Sequence, residues 1–248
     1  MKGFWPVFKR DLFSTFVTPV AWVTIFVFLL LQGANFYLLV AHFTNQVDIA
    51  IDRGPVQWFF ADSILQYFPL LMLAPALTMR SLAEERRSGT IEGLLTTPVS
   101  TPAVVLAKWA AAFVTYLAVW APTLLYMIVL KRAGEVDWRV VASCYLGVAL
   151  LGAAFTSLGV LMSAMTRSQV VALLLSLAAV IGLLIVGIGE MIFDNGPAHD
   201  LCAYVSILSQ MADFSKGLID TRRVIFDLTL TAAPLFITVR AVDAWRWG

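Results

Sequence analysis

Charge is what this sequence has least of. Only 13% of its 248 residues are Asp, Glu, Lys or Arg, where a water-soluble domain carries roughly 25%, and residues 19 to 47 contain none. A water-soluble fold is not expected from such a composition. The few charges balance to a net +1 without a long basic tract, which argues against nucleic-acid binding, where many cations must neutralise phosphates. Cysteine occurs twice, at Cys144 and Cys202, outside any CxxC spacing. That is too few for a disulfide framework, so structural thiols are expected, and whether the two meet is left open. The two histidines, His42 and His199, are isolated, and no HExxH or GxSxG is present. An enzyme is therefore not expected, and neither a metal site nor a cofactor site is legible in the chain. The absence of GxxxxGK[ST] removes the phosphate loop that an ATPase of that type needs. Lys9, Arg10 and Asp11 interrupt the first apolar run before a signal-peptide core forms, so the N-terminus is expected to persist.

What the sequence has in excess is apolar surface, with 60% hydrophobic residues and a mean hydropathy of +0.85. It comes in blocks of about 18 to 28 residues, long enough to cross a hydrocarbon core of roughly 30 Å as helices. The expected fold is an all-α polytopic integral membrane protein with six transmembrane helices, at about 19–40, 57–79, 103–130, 140–165, 168–192 and 224–241. Thr18 and Pro19 form a helix start. Arg167 alone divides the fourth and fifth blocks, predicting a tight antiparallel hairpin.

Two further segments read as amphipathic. Phe4, Trp5, Phe8, Leu12 and Phe16 recur at about four-residue intervals, predicting an interfacial helix over 2–16. Over 200–220, Leu201, Tyr204, Leu208 and Met211 share one stripe, with Ser206, Gln210, Asp213 and Lys216 opposite. Burying Asp213 and Lys216 in a span costs roughly 2.5–3.5 kcal/mol each, so an external interfacial or re-entrant helix is expected there. Trp22, Trp58, Trp109 and Trp138 fall near span starts and Trp245 and Trp247 beyond the last span, as headgroup-seeking indoles should; Trp120 alone is mid-span. A thin excess of Lys and Arg places both termini in the cytoplasm.

The most charge-dense stretch lies between the second and third blocks, over 80–101. Arg80, Glu84 and Arg87 stand at i, i+4 and i+7, with Glu85 and Arg86 beside them. A helix continuing past the membrane would carry them as a stripe of alternating charge. Ser88 and Gly89 break it; Thr90 is a credible N-cap, and Glu92 suits the first turn of a short helix. That helix would present Ile91, Leu94 and Leu95, each worth roughly 1.5–3 kcal/mol if buried, and it is too short to be stable alone. A covering partner is implied.

The run TMRSLAEERRSGTIEGLLTTPVSTPAVVLAKW resembles the signature of type-2 ATP-binding-cassette exporter permeases, especially the small gliding-motility-type membrane subunits, and the resemblance extends over nearly the whole chain. DFSKGLIDTRRVIF, before the last span, is also similar to the family pattern. The resemblance implies that Arg80, Glu84, Glu85, Arg86, Arg87, Gly89, Thr90, Ile91, Glu92, Leu94 and Leu95 belong to a cytoplasmic coupling segment that docks on the ATPase. Gly93 departs from the larger apolar residue expected after Glu92. The resemblance further implies two ATPase subunits carrying ATP and Mg, a second copy of this permease or a related one, and placement in the bacterial inner membrane.

Gln32 and Asn35 in span one, with Asp62 and Gln66 in span two, are the deepest polar groups and candidates for a pathway or for helix contacts. Gly147 and Gly152, with Ser143 and Thr156, suit close helix packing. No side-chain cluster specifies a cargo. One alternative keeps the ATPase but transmits motion to a periplasmic or extracellular protein without transport. A secondary transporter is a second alternative, disfavoured because the acids lie at span ends and no internal repeat is seen.

Overall fold

Thr18 ends the first helix with extended backbone (ψ 129°), because the proline after it disfavours helical geometry at the preceding residue. The computed structural model describes residues 3–45, 54–89, 100–134, 136–193 and 195–247, and among them every regular element is helical. Helix α1 is Phe4–Val17, and α2, Pro19–Asn45, starts at the expected proline. Helix α3, Pro55–Asp62, closes in a widened π turn and meets α4, Ile64–Thr78, at the extended residue Ser63. After a turn comes α5, Ala83–Ser88.

Helix α6, Thr101–Ala133, tightens to a 3-10 turn over Ala121–Thr123, where Pro122 removes a backbone donor. Helix α7, Trp138–Met165, begins at Asp137, whose carboxylate accepts from the Arg139 amide at 2.8 Å. Three residues separate it from α8, Gln169–Met191, giving the hairpin that the single Arg167 predicts. Helices α9, Pro197–Val205, and α10, Ile207–Ser215, precede α11, Thr221–Trp247.

Five of these helices are long and apolar enough to cross a membrane, or six if the bent pair of α3 and the segment Ile64–Ser88 forms one crossing. The second apolar block, 57–79 by sequence, is bent by 52° at Ser63. The single amphipathic helix expected over 200–220 is instead two helices that meet at Ser206. Ser206 and Gln210, placed by periodicity on a polar face, are buried: Ser206 caps the Ser209 amide and Gln210 Nε2 donates to the Asp227 carboxylate on α11. Asp213 pairs with Arg223 at 2.8 Å, which offsets its charge without full exposure.

Helix α7 runs through the centre of the molecule. Its glycines leave room that neighbours fill, since a β-carbon on Gly147 would lie 2.6 Å from the Phe214 ring, one on Gly152 2.1 Å from Tyr116, and one on Gly159 1.9 Å from Thr78 Oγ1. Helices α10, α6 and α4 thus each approach α7 through a glycine. Side chains tie the same helices together: Ser143 Oγ donates to the Phe214 carbonyl, Ser157 Oγ to Leu230 O at 3.2 Å, and Trp109 Nε1 to Ala153 O at 3.2 Å. Trp120, the mid-span exception, is 1% exposed and meets Phe28 edge-on at 4.9 Å. The close packing inferred from Gly147 and Gly152 is therefore present, and Gly159 extends it. We predict that Gly159→Ala, by overpacking this contact, costs about 1–3 kcal/mol, seen as a lowered melting temperature of the purified protein; an unchanged melting temperature would contradict the packing described.

Candidate functional site

Helix α4 stops at Thr78, and α5 begins anew at Ala83 because another helix caps it. Ser163 Oγ, near the end of α7, accepts from the Leu82 and Ala83 amides at 3.0 Å each, and its hydroxyl reaches the Met79 carbonyl at 3.3 Å. Two donors that a helix start leaves unpaired are thereby satisfied from outside. The continuous charge stripe through Arg80, Glu84 and Arg87 does not form, since the turn at residues 79–82 takes Arg80 out of helical register with Glu84. No ion pair joins them.

A six-residue helix cannot hold itself together, and α5 is held at both flanks of its inner face. Glu85 turns inward to Lys108 on α6, with Nζ 2.9 Å from Oε1. The same ammonium lies 2.9 Å from Asp11 Oδ2 on α1 and donates to the Ser81 carbonyl at 2.8 Å. Its three donors thus meet three acceptors, which is what allows a lysine side chain to be only 2% exposed. Arg10 completes the network, reaching Glu85 at 2.7 Å and Asp11 at 2.9 Å. Burial alone would push the Arg10 guanidinium down, but Asp11 and Glu85 hold it above its usual range. On the other flank Arg86 donates to the Ala164 carbonyl at 2.8 Å and stands 4.1 Å over the Trp245 indole of α11, a cation–π contact worth about 0.5–2 kcal/mol.

The outer face of α5 is different. Glu84, Arg87, Ser88 and Gly89 are exposed. Gly89 ends the helix at φ +71°, a conformation that a side chain would strain. The charged stretch read from the sequence therefore divides into an inward set, Glu85 and Arg86, that anchors the segment and an exposed set, Glu84 and Arg87, that takes no part in the anchoring; Glu84 lies on the side of α5 next to a cavity shared with α1, α4 and α6. Thr90, Ile91, Glu92, Leu94 and Leu95 lie outside the described residues.

Two of the four pathway or helix-contact candidates, Asn35 and Gln66, come together elsewhere. Asn35 Nδ2 donates to the Phe59 carbonyl at 3.4 Å and to Gln66 Oε1 at 3.5 Å, and accepts from Ser63 Oγ. Gln32, one turn away on α2, is fully buried, and neither atom of its amide has a hydrogen-bond partner. Asp62 is exposed. Asn35 and Gln66 thus sit at the bend of the second block, where Ser63 gives its hydroxyl to Asn35 rather than to the start of α4. Cys144 and Cys202 are buried free thiols.

Asp11, Lys108, Ser163 and Trp245 escape a reading of the charged stretch alone. One signal for Lys108 is present in the sequence: it is the sole charge in the apolar block 103–130, and an ionisable residue in a span is expected to have a partner.

Residues 52–211 match the family model described as ABC-2 family transporter protein. No curated protein matches the chain. The match runs from just before α3 into α10 and so includes α5, Lys108 and Ser163, while Asp11 and Trp245 lie outside it. Replacing Lys108 by Met would leave Asp11 and Glu85 held by the half-exposed Arg10 alone, with their inner oxygens facing an apolar side chain. We predict a loss of about 3 kcal/mol, the lower end for breaking a buried pair because both acids lie at its edge, together with faster protease cleavage within residues 3–18. Unchanged cleavage kinetics would show that the pair does not hold α1.

Proposed function

This chain belongs to the ABC-2 family of transporter proteins, and from that premise we propose that it is the membrane half of an ATP-driven exporter of the small gliding-motility type, with α5 and the residues after it as the ATPase-coupling segment. The family and the apolar helices make it a multi-pass membrane protein and a permease rather than a catalytic chain. Hydrolysis takes place on a separate ATPase, where ATP and Mg bind. Two permease subunits and two ATPases make up the working complex, in the bacterial inner membrane, with both termini in the cytoplasm.

In this reading α3 and α4 form one bent crossing, giving six. Helix α1 lies in the membrane interface with Trp5, Phe13 and Val17 turned to lipid, all of them exposed. Helices α9 and α10 form the external element before the last crossing. The observation that carries the reading is the division of α5 into an anchored inner face and a free outer one. A docked ATPase would press on Glu84 and Arg87. Because Ser163, Lys108 and Trp245 hold the inner face, the push is shared at once among α6, α7, α11 and α1. The two permease subunits then re-pack about their interface as the bistable element.

Arg87→Glu tests this directly, because the side chain is exposed and takes no part in the anchoring contacts. The variant should insert and melt like the parent while the amount of ATPase recovered with it falls about ten-fold, the loss expected from turning one charge-assisted contact into a repulsion. Recovery of ATPase at the parental level would exclude α5 as the docking face.

A further inference from the structure

A cavity of about 470 Å³ opens beside the charged turn, bounded by α1, the first turns of α2, the end of α4 and α6. It lies within the size range of ligand pockets, roughly 300–1,000 Å³, and its two ends differ in chemistry. One is walled mostly by small or apolar side chains of the long helices, Ala21, Ala76, Leu77, Ala111 and Ala112, with the single hydroxyl of Thr24 among them. The other carries three cations, Arg10, Arg80 and Lys108, and three carboxylates, Asp11, Glu84 and Glu85.

These charges are not equivalent. Arg10 and Lys108 are both engaged with Asp11 and Glu85 in the network that holds α1. That leaves Arg80 and Glu84, which share the cavity lining but make no ion pair among the described residues. Their four-residue spacing would have paired them on a continuous helix; the Ser163-capped restart of α5 prevents it. The Arg80 Nε is buried and has no hydrogen-bond partner. One free guanidinium and one free carboxylate at the mouth of a cavity whose floor is mostly apolar suit a ligand bearing one anion, one cation and a hydrocarbon chain.

We propose that this cavity binds a zwitterionic phospholipid, its phosphate on Arg80, its primary ammonium on Glu84 and the upper part of an acyl chain against Ala76 and Ala111. Guanidinium recognises phosphate oxygens in a fork geometry. A carboxylate accepts N–H bonds from a primary ammonium that a trimethylammonium cannot give, so phosphatidylethanolamine is preferred over phosphatidylcholine. Phosphatidylglycerol supplies the phosphate but leaves Glu84 facing a neutral headgroup. Free phosphate shares the anionic chemistry, without the chain that fills the apolar end. The assignment shares Glu84 with the exposed face of α5 proposed to meet the ATPase, but its test needs no ATPase and the docking test uses Arg87, so either reading can fail without the other.

The experiment is native mass spectrometry of the full chain released from nanodiscs of equal parts phosphatidylethanolamine, phosphatidylcholine and phosphatidylglycerol, with and without inorganic phosphate. Phosphatidylethanolamine should be the lipid retained, and inorganic phosphate should not displace it. Arg80→Gln should lower retention of all three lipids about ten-fold, the loss of one charge-assisted contact, whereas Glu84→Gln should abolish the preference over phosphatidylcholine and leave retention of that lipid unchanged. Ala76→Leu keeps every charge and fills the apolar end, and retention should fall there too. Lipids retained in the proportions supplied, phosphatidylglycerol outcompeting phosphatidylethanolamine, displacement by phosphate, or full retention in Ala76→Leu would each overturn the assignment.

Discussion

A lysine ammonium withdrawn from solvent between two carboxylates sets the arrangement of this end of the molecule. Lys108 lies on the long apolar helix α6, Asp11 on the first helix and Glu85 on the short helix after α4. None of the three has a reason to be where it is without the others. A charge in an apolar crossing is tolerated only when it is paired and its donors are satisfied, and here the Ser81 carbonyl takes the third donor. Such a network adds little net stability, because desolvation offsets much of the attraction, but it penalises any arrangement that breaks it. Its effect is to specify one position of α1 and α5 against α6.

The opposite flank of α5 is specified by different chemistry. Ser163 supplies the helix start and Arg86 reaches the ends of α7 and α11. Both depend on the closeness of α4 to α7, which in turn depends on Gly159 beneath Thr78. The packing of the interior and the position of the charged segment are thus linked through one helix. A displacement of α5 is resisted by contacts to four other helices, and the proposed ATPase would act on a rigid lever rather than a loop. The unpaired Arg80 and Glu84 are a by-product of the same construction, since the cap that creates α5 also separates them.

The long apolar helices were legible in the sequence because bilayer thickness sets the length of such runs and charge marks their ends. Pro19 and Arg167 stand where helices begin and turn, so those boundaries are local. The breaks at Ser63, at the start of α5 and at Ser206 were not legible, because each is decided by a distant group: Asn35 for the first, Ser163 for the second, 81 residues from the amide it caps, and the packing of α10 between α7 and α11 for the third. Periodicity assigned Ser206 and Gln210 to a wet face because they are polar. Gln210 is dry because Asp227, another buried polar group, is there to receive it. For the charged stretch, composition identified the residues that matter but could not divide them into inner and outer sets, since the division depends on Lys108 and on an acid 97 residues before it.

The central claim is that α1 and α5 are clamped together through Lys108 and move as one body. It is tested most directly by the distance between spin labels placed at Phe13→Cys and Ser88→Cys, in the assembled complex with its ATPase, measured by pulsed electron–electron resonance with and without bound nucleotide; Cys144 and Cys202 are buried. The clamp predicts one narrow distance distribution that nucleotide leaves unchanged. A distribution that is broad in the parent protein, or that shifts by several ångström when nucleotide binds, would contradict it.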